Sequence, residues 1–307
     1  MRKHGKRVHF LSCGRWLDAI EFIKYFERKV LYTIRKYELI NKKNKIAVAF
    51  SGGKDSIVLL YILTKFCKER GQKLEALMVD EGIGDYRKNL LRDSKKLCKD
   101  LGISLKIFTF KKEFGFNLGD KRVQNKIEKM KLSNCAVCSI LKRWLINKKA
   151  KELKFDVIAT AHSLDDEAEN ILLNIFKGNS ELLAKLGPKA GTQETKAFVQ
   201  RVKPFYLCST QEIMCYAKLK NLPIPKKEIA TCPSRGETFR IEIRNFLDEM
   251  DKKHVEIKNA IVNSFLKLMP LIKEKFKDTE FKKCKKCGFA SSHDLCKACL
   301  LLRELKK

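Results

Sequence analysis

The segment Lys45-Ile46-Ala47-Val48-Ala49-Phe50-Ser51-Gly52-Gly53-Lys54-Asp55-Ser56 holds the residues of this chain best suited to grip a phosphate. An apolar run stops at Ser-Gly-Gly, and a second apolar run with helical character follows from Ile57 to Lys68. Two adjacent glycines let the backbone turn tightly and bring successive N–H groups toward one anion, while the positive end of the following helix points at the same spot. Ser51 and Ser56 add hydroxyls, and Lys54 adds a charge. The spacing is not Gly-x4-Gly-Lys-Ser/Thr, which excludes a Walker A loop, and Asp55 would repel a bare triphosphate unless Mg2+ bridged the two. The plain alternative is a glycine turn joining a buried strand to a helix; the serines on both sides argue against it.

The thiols form two further constellations. In the tail, Cys284-x2-Cys287 and Cys296-x2-Cys299 stand eight residues apart, the spacing of two facing knuckles around a tetrahedral zinc ion. All four positions are filled, so the zinc is structural. Lys282, Lys283, Lys285, Lys286 and Lys297 surround the set, where they would help hold the thiolates deprotonated and could touch RNA phosphate. Cys135-Ala-Val-Cys138 with the distant Cys232 differs in kind. Three thiolates can hold a [4Fe-4S] cluster by three irons and leave the fourth open to an exogenous ligand such as hydrosulfide; equally, a CxxC pair can carry a persulfide on one thiol and resolve it with the other. Spacing alone does not choose between them. Cys67, Cys98, Cys208 and Cys215 fall on apolar patterns and read as core.

These groups need a frame. From Lys45 to about Phe176 short apolar runs (Ile46 to Phe50, Leu74 to Val79, Leu105 to Phe110, Asp156 to Ala161) alternate with helical patterns such as Asp85 to Leu101. The alternation predicts a parallel sheet with helices on both faces and a ligand site at the carboxyl ends of the strands. The loops after the first, second and fourth strands carry the suspect residues. Ahead of the sheet, Asp18 to Ile40 reads as an amphipathic helix; behind it come a polar loop over Gly178 to Gln200, a helix Gln211 to Asn221, two helices over Arg240 to Phe276 with Pro270 as punctuation, and the cysteine tail. The division expected is 1–44 helical, 45–240 nucleotide-binding, 241–280 a helical RNA-binding extension and 281–307 a zinc module.

Lys and Arg total 66 against 36 acidic residues, a net charge of +30 in 307 residues, which favours a phosphate-rich partner. Lys111 to Lys154, around the Cys135/Cys138 pair, has thirteen Lys/Arg and four Asp/Glu, a local net of +9. Twelve cysteines in so long a chain, with no apolar leader in Met1 to Trp16, point to a cytosolic location rather than a disulfide framework. No apolar run reaches membrane length, so no membrane partner is expected.

Taken in order, Ser51 to Ser56, the stretch Val79-Asp80-Glu81-Gly82-Ile83-Gly84, Cys135-x-x-Cys138, Ala161-His162-Ser163-Leu164-Asp165-Asp166-Glu167, and Cys232 ahead of the cysteine tail resemble the PP-loop ATP pyrophosphatases. Within that group the chain from about Arg28 onward is similar to the tRNA 2-thiouridine synthetases of archaea, some bacteria and the eukaryotic cytosol. The resemblance implies an α/β PP-loop domain with helical additions and a C-terminal zinc module, and a reaction in which ATP yields AMP and pyrophosphate while the C2 oxygen of a uridine is adenylated and replaced by sulfur. It implies ATP with Mg2+ held by Ala49, Phe50, Ser51, Gly52, Gly53, Lys54, Asp55, Ser56, Val79, Ala161 and Asp166. It places a [4Fe-4S] cluster on Cys135, Cys138 and Cys232, and gives catalytic roles to Lys142 and Asp166 beside the cysteine pair. Lys142 lies four residues past Cys138, one turn along the same face of a helix; without the resemblance it reads as one more solvated lysine. The partners implied are tRNA, a sulfur donor (sulfide or a ubiquitin-like carrier) and a second copy of the chain, with wobble uridine 34 preferred to uridine 54. The family usually begins with a second zinc site, but here Cys13 stands with only His4 and His9 at unsuitable spacing, so none is expected. A tRNA 2-thiocytidine synthetase would fit the four-cysteine tail poorly. Lysidine synthetases and amidotransferase-type synthetases would leave the cysteine trio unexplained, and a non-catalytic zinc-ribbon RNA binder would not need Ser51 to Ser56.

Overall fold

The computed structural model describes residues 7–10, 16–84, 86–191, 198–225, 238–277 and 282–307. Arg7–Phe10 (β1) and Trp16–Asp18 (β2) form a small antiparallel ladder that leads into Ala19–Lys36 (α1). Asp18 caps α1: its carboxylate accepts from the Glu21 N–H at 2.8 Å, and Glu21 accepts from the Asp18 N–H at 3.1 Å. Phe22, Phe26, Val30 and Ile34 form the buried stripe of α1 and join the main core, where the Phe26 ring meets Tyr216 at 4.8 Å and Phe205 at 5.9 Å between centroids. The first helix is therefore built into the nucleotide-binding core. His4 and Cys13 lie outside the described residues.

The chain continues through Ile46–Ala49 (β3), Lys54–Lys68 (α2), Leu74–Asp80 (β4), Tyr86–Asp100 (α3), Ser104–Thr109 (β5), Phe110–Phe114 (α4), Lys121–Lys129 (α5), Asn134–Glu152 (α6), Val157–Ala159 (β6), Leu164–Phe176 (α7), Ser180–Ala184 (α8), Gln200–Val202 (β7) and Thr210–Leu219 (α9). The sheet order is β5-β4-β3-β6-β7 with every neighbour parallel, as the alternation predicted. Ile46, Ala47 and Val48 are all buried because β3 is central and covered on both faces, which is why it reads as a continuous apolar run. Sequence reading did not identify β7. It is three residues long and only Val202 is fully buried, so its period-2 signal is too short to register. A short helix, α8, also stands in the segment expected to be loop.

Phe239–Lys253 (α10) and Ile257–Lys275 (α11) pack on α7 through Ile243, Leu247, Val262 and Phe265. The break between them falls at Glu256, with φ +68°, and not at Pro270, which lies inside α11. Pro270 is exposed, where its missing N–H costs least. Lys282–Lys283 (β8) and Ala290–Ser291 (β9) pair, and Lys297–Lys306 (α12) inserts Ala298, Leu301, Leu302 and Leu305 against Val137, Leu141 and Leu145 of α6. Phe26→Ala should cost about 3–5 kcal/mol in urea unfolding, since a wholly buried ring leaves a cavity the two flanking rings cannot fill; a cost below about 1 kcal/mol would mean that α1 is not part of the core.

Candidate active site

The PP-loop follows β3 at the carboxyl edge of the sheet. Gly52 has φ +80°, and a Cβ there would meet Leu90 Cδ1 at 2.8 Å and Ser94 Oγ at 2.9 Å, so the turn admits glycine alone. Gly53 is the N-cap of α2 and offers no side chain to its first N–H groups, which stay directed at the cavity. Ser51 and Ser56 lie 3.0 Å apart through their hydroxyls, the Gly53 N–H donates to Ser51 Oγ at 3.3 Å, and Ser56 Oγ donates to the Gly53 carbonyl at 2.8 Å. Lys54 reaches Asp55 at 3.5 Å. Ser51, Gly53, Asp55 and Ser56 line a cavity of about 420 Å³ with Ala49, Thr160, Ala161 and one face of α6.

That face is Ser139, Lys142, Arg143 and Ile146, with Cys135 and Cys138 one turn nearer the N-terminus. The spacing 135, 138, 139, 142, 143, 146 is a helical stripe, so the 3.6-residue period of α6 puts the cysteine pair on the same face as Lys142, which lines the cavity beside the PP-loop. Ser133 caps α6 by accepting from the Ala136 N–H at 3.2 Å. Cys135 and Cys138 are half-buried thiols; Cys232 lies outside the described residues.

Lys142 does not stand as a solvated lysine. Its Nζ lies 2.6 Å from Glu81 Oε1, and Glu81, 3% exposed, also lies 3.0 Å from Arg87 Nε, an ionic approach too bent for a hydrogen bond. Arg87 in turn donates to the Ser51 carbonyl at 3.4 Å and to the carbonyl of Val79. Burial drives the Glu81 carboxyl upward, but Lys142 and Arg87 outweigh it and hold it below the ordinary carboxylate range. Burial would likewise lower Lys142, yet Glu81 keeps its ammonium above the usual lysine value, so Lys142 is a cation and not a base at neutral pH. Gly82, at φ +68°, lets the chain turn behind Glu81, where a Cβ would strike Asn117 at 2.3 Å. Arg87 was missed in the sequence; a single arginine just past the acidic turn of a lysine-rich chain was its one signal. Val79, expected beside the nucleotide, is not among the residues lining this cavity. It is buried off the wall of this cavity and its carbonyl is taken by Arg87, whereas Ala49 and Ala161 border the cavity. Phe50 and Gly52 face a neighbouring groove with Leu90 and Ser94.

The acidic trio at the start of α7 divides its tasks. Asp166 closes a capping box, accepting from the Ser163 N–H at 2.9 Å. Asp165 accepts from Lys258 at 3.0 Å and from the Thr210 N–H at 2.7 Å, and Glu167, wholly buried, takes Lys203 on both oxygens at 2.8 Å. Asp165 and Asp166 border a larger cleft of about 810 Å³ that shares Gly53, Lys54 and Asp55 with the PP-loop. His162 sits at the end of β6 with Nδ1 3.0 Å from Thr160 Oγ1; burial, then Lys203, drives it down to about 4, so it is neutral near pH 7.

In the tail, Cys284, Cys287, Cys296 and Cys299 gather with all four sulfurs within 4.8 Å of one another, and Cys287 Sγ lies 3.7 Å from Cys296 Sγ. Tetrahedral zinc–thiolate bonds of roughly 2.3 Å imply a sulfur separation of about 3.8 Å, so the donor set fits zinc. Burial raises the Cys284 thiol, but the N–H groups of Cys296, Cys287 and Lys286 overcome it and pull it down to about 6. At Cys284 backbone amides, rather than the lysine side chains expected in that role, favour the thiolate, whereas burial raises the Cys296 and Cys299 thiols; Lys285 is engaged with Asp294 at 2.6 Å. Cys67, Cys98 and Cys208 are buried with raised thiols, as core residues should be.

A parallel sheet that ends in this loop, with a cysteine-bearing helix across its mouth, defines a PP-loop nucleotide-binding protein. A PP-loop domain model matches residues 24–228, and a zinc-ribbon model matches residues 282–307. The chain belongs to the PP-loop family, and its relatives there are tRNA thiolation proteins. It is 38% identical to the tRNA-5-methyluridine(54) 2-sulfurtransferase of Pyrococcus horikoshii over 294 residues, 95% of this chain and 89% of that protein. It is 31% identical to the tRNA 2-thiolation protein NcsA of Haloferax volcanii over 97% of this chain and 96% of that one. The solved U34-tRNA thiolase NcsA from Methanococcus maripaludis, with its [4Fe-4S] cluster, matches with a TM-score of 0.82 at 32% identity, over 99% of this chain and 95% of that chain. No helix among the described residues is long and apolar enough to cross a membrane.

Two outcomes follow from this geometry. Glu81→Gln leaves Lys142 facing burial and Arg87 without its counter-charge, so its pKa should fall and the alkaline limb of the pH–activity profile should move to lower pH, with a rate loss of roughly tenfold at pH 8 for each unit of lost support below that pH; an unchanged profile would show that Glu81 does not hold Lys142. Stripping zinc with a chelator should lower Tm by about 5 °C or more, equivalent to roughly 2 kcal/mol in a chain of this size. Added Zn2+ should restore it, and scanning calorimetry reads both changes.

Proposed function

We propose that the protein is an ATP-dependent tRNA sulfurtransferase that converts a uridine to 2-thiouridine, with AMP and pyrophosphate as co-products. The observation that carries this reading is the shared cavity: the PP-loop, the Cys135/Cys138 helix and a protonated Lys142 face one another across it. The N–H groups around Gly53 and the two serine hydroxyls hold the ATP phosphates, Mg2+ offsets Asp55, and backbone near Ala49 and Ala161 borders the adenosine. The uridine C2 oxygen attacks the α-phosphate, pyrophosphate departs, and the oxygen becomes part of a good leaving group. Lys142, kept charged by Glu81, stabilises negative charge as it develops there. Asp166 caps α7 and borders the larger cleft, where it orients the nucleotide or its magnesium. A [4Fe-4S] cluster held by Cys135, Cys138 and Cys232 would bind and activate the donated sulfide that replaces the oxygen, with AMP leaving. Sulfide or a ubiquitin-like carrier is the donor, two copies of the chain form the assembly, and the setting is cytoplasmic. A uridine stacked within folded tRNA must be splayed out to reach this depth.

The site of modification is position 34. The solved relative that superposes over nearly the whole chain is named for U34. Position 54 is the second reading, favoured by the Pyrococcus relative at 38% identity. The test is an anaerobic reaction of reconstituted protein with ATP, Mg2+, sulfide and tRNA transcripts in which either uridine 34 or uridine 54 is replaced by cytidine. AMP, pyrophosphate and 2-thiouridine are followed by mass spectrometry. Thiolation abolished by the position-34 change alone supports the reading, and loss with the position-54 change moves the site. Iron bound by the wild type and lost in Cys232→Ala supports the cluster, whereas thiolation by iron-free protein at the same rate would remove the cluster from the reaction.

A further inference from the structure

The cations around the nucleotide cavity fall into two groups. Lys142 is held by Glu81, Lys203 by Glu167, Lys258 by Asp165 and Asp248, and Arg87 by Glu81. Arg143 and Arg201 line the same cavity, and neither guanidinium has a hydrogen bond or ion pair among the described residues. The carboxylate that does act on Arg143, Glu167, is already gripped by Lys203 through both oxygens at 2.8 Å. Both arginines keep accessible surface although protein surrounds their guanidinium groups, which puts their heads at the mouth of the cavity, while Ser56 is buried at its floor. They come from different elements, α6 and the edge strand β7, so no local helix pattern explains their meeting.

The chemistry of the pair follows from this. Burial, then the neighbouring Arg143, pushes Arg201 down to about 10, and burial, then Arg240, lowers Arg143. Two guanidinium groups that repel each other across an open cavity, with no acid between them, are a site short of an anion. Arginine forks match phosphate oxygens in pairs, as a lysine cannot. The phosphates of ATP have a holder of their own two strands away: β7 follows β6, which follows β3, and neighbouring strands stand about 4.8 Å apart, so the backbone carrying Arg201 is about 10 Å from that of the PP-loop. The anion at the mouth is then a second phosphate, on the side from which a large substrate must come.

We propose that Arg143 and Arg201 form a phosphate-binding pair at the mouth of the nucleotide cavity, which takes a phosphodiester of the bound RNA beside the reacting base. This assignment rests on the tRNA-modifying function proposed above. By gripping the backbone next to the extruded nucleotide, the pair would hold the base at the depth where the PP-loop, Lys142 and the cysteines converge.

The test uses anaerobically reconstituted holoprotein and a tRNA transcript. Affinity is measured by fluorescence anisotropy at several salt concentrations for wild type, Arg143→Ala, Arg201→Ala, the double variant, and Lys43→Ala. Lys43 is an exposed lysine ahead of β3, at the opposite end of the sheet. ATP affinity is measured on the same preparations by calorimetry, and melting curves with metal content confirm that each variant is folded. Each arginine variant should weaken tRNA binding about tenfold and flatten the slope of log affinity against log salt by about 0.9, the value of one phosphate contact. The double variant should lose much less than the product of the two single losses, because both act on one phosphate. Lys43→Ala should change affinity less than twofold, and ATP affinity should hold in every variant. A fall in ATP affinity with tRNA binding intact would place the phosphate on the nucleotide and overturn the RNA assignment. Unchanged binding of both overturns the pair. Wild-type holoprotein that fails to bind tRNA at all would instead overturn the proposed function.

Discussion

One buried carboxylate sets the geometry on which the site depends. Glu81 is almost wholly removed from water, and a bare carboxylate in that position would cost several kcal/mol. It is tolerable because Lys142 comes to it from α6 and Arg87 from α3. Arg87 is constrained in turn, since its guanidinium also donates to the carbonyls of Val79 at the end of β4 and Ser51 in the PP-loop. The contacts therefore tie together four elements, the PP-loop, strand β4, helix α3 and the cysteine helix α6. Helix α6 cannot slide along the sheet without pulling Lys142 from Glu81 and leaving a buried charge. The relative placement of the phosphate cradle and the two thiols is thus held by electrostatics where hydrophobic packing, which tolerates small slips, would be less exacting.

Charge is sorted by face around that centre. On one side of the PP-loop the starts of α7 and α9 and the helices α10 and α11 bring Asp165, Asp166, Glu169 and Asp248 to the large cleft, with Lys258 bridging Asp165 and Asp248. On the other side α6 and β7 present cations to the smaller cavity. A chain of net charge +30 that places acids beside its phosphate loop requires a counter-cation or fixed ammonium groups there, and Lys258 is one. His162, between the two faces, stays neutral because burial and surrounding cations disfavour its charged form.

The sequence made the frame legible wherever burial was two-sided or the backbone needed a special residue. Strands β3, β4 and β6 were readable because buried parallel strands leave unbroken apolar runs, and the PP-loop because Gly52 must occupy φ +80° against Leu90. The four tail cysteines were readable because metal geometry fixes their spacing. What was not legible depended on contacts between distant elements. Nothing local marks Lys142 as the partner of Glu81, Arg87 as a bridge to Ser51, or β7 as a strand, since each is decided by what lies across the fold. Pro270 misled for the opposite reason: a local rule with real force gave way where the residue faces water.

The tail gains a structural meaning from the same frame. Helix α12 begins at Cys296 and Cys299, and its Leu301, Leu302 and Leu305 pack on Leu141 and Leu145, which lie on the face of α6 turned away from the nucleotide cavity. Gathering four thiols around a metal orders the start of α12, and so fixes the apolar wedge that backs the cysteine helix from behind. Glu81 holds α6 from the cavity side, and α12 supports it from the other. The first hold is directional and the second is not, so the metal module supplies support while the ion pair sets register. A terminal zinc module with no open coordination position can in this way matter to a reaction whose atoms it never touches.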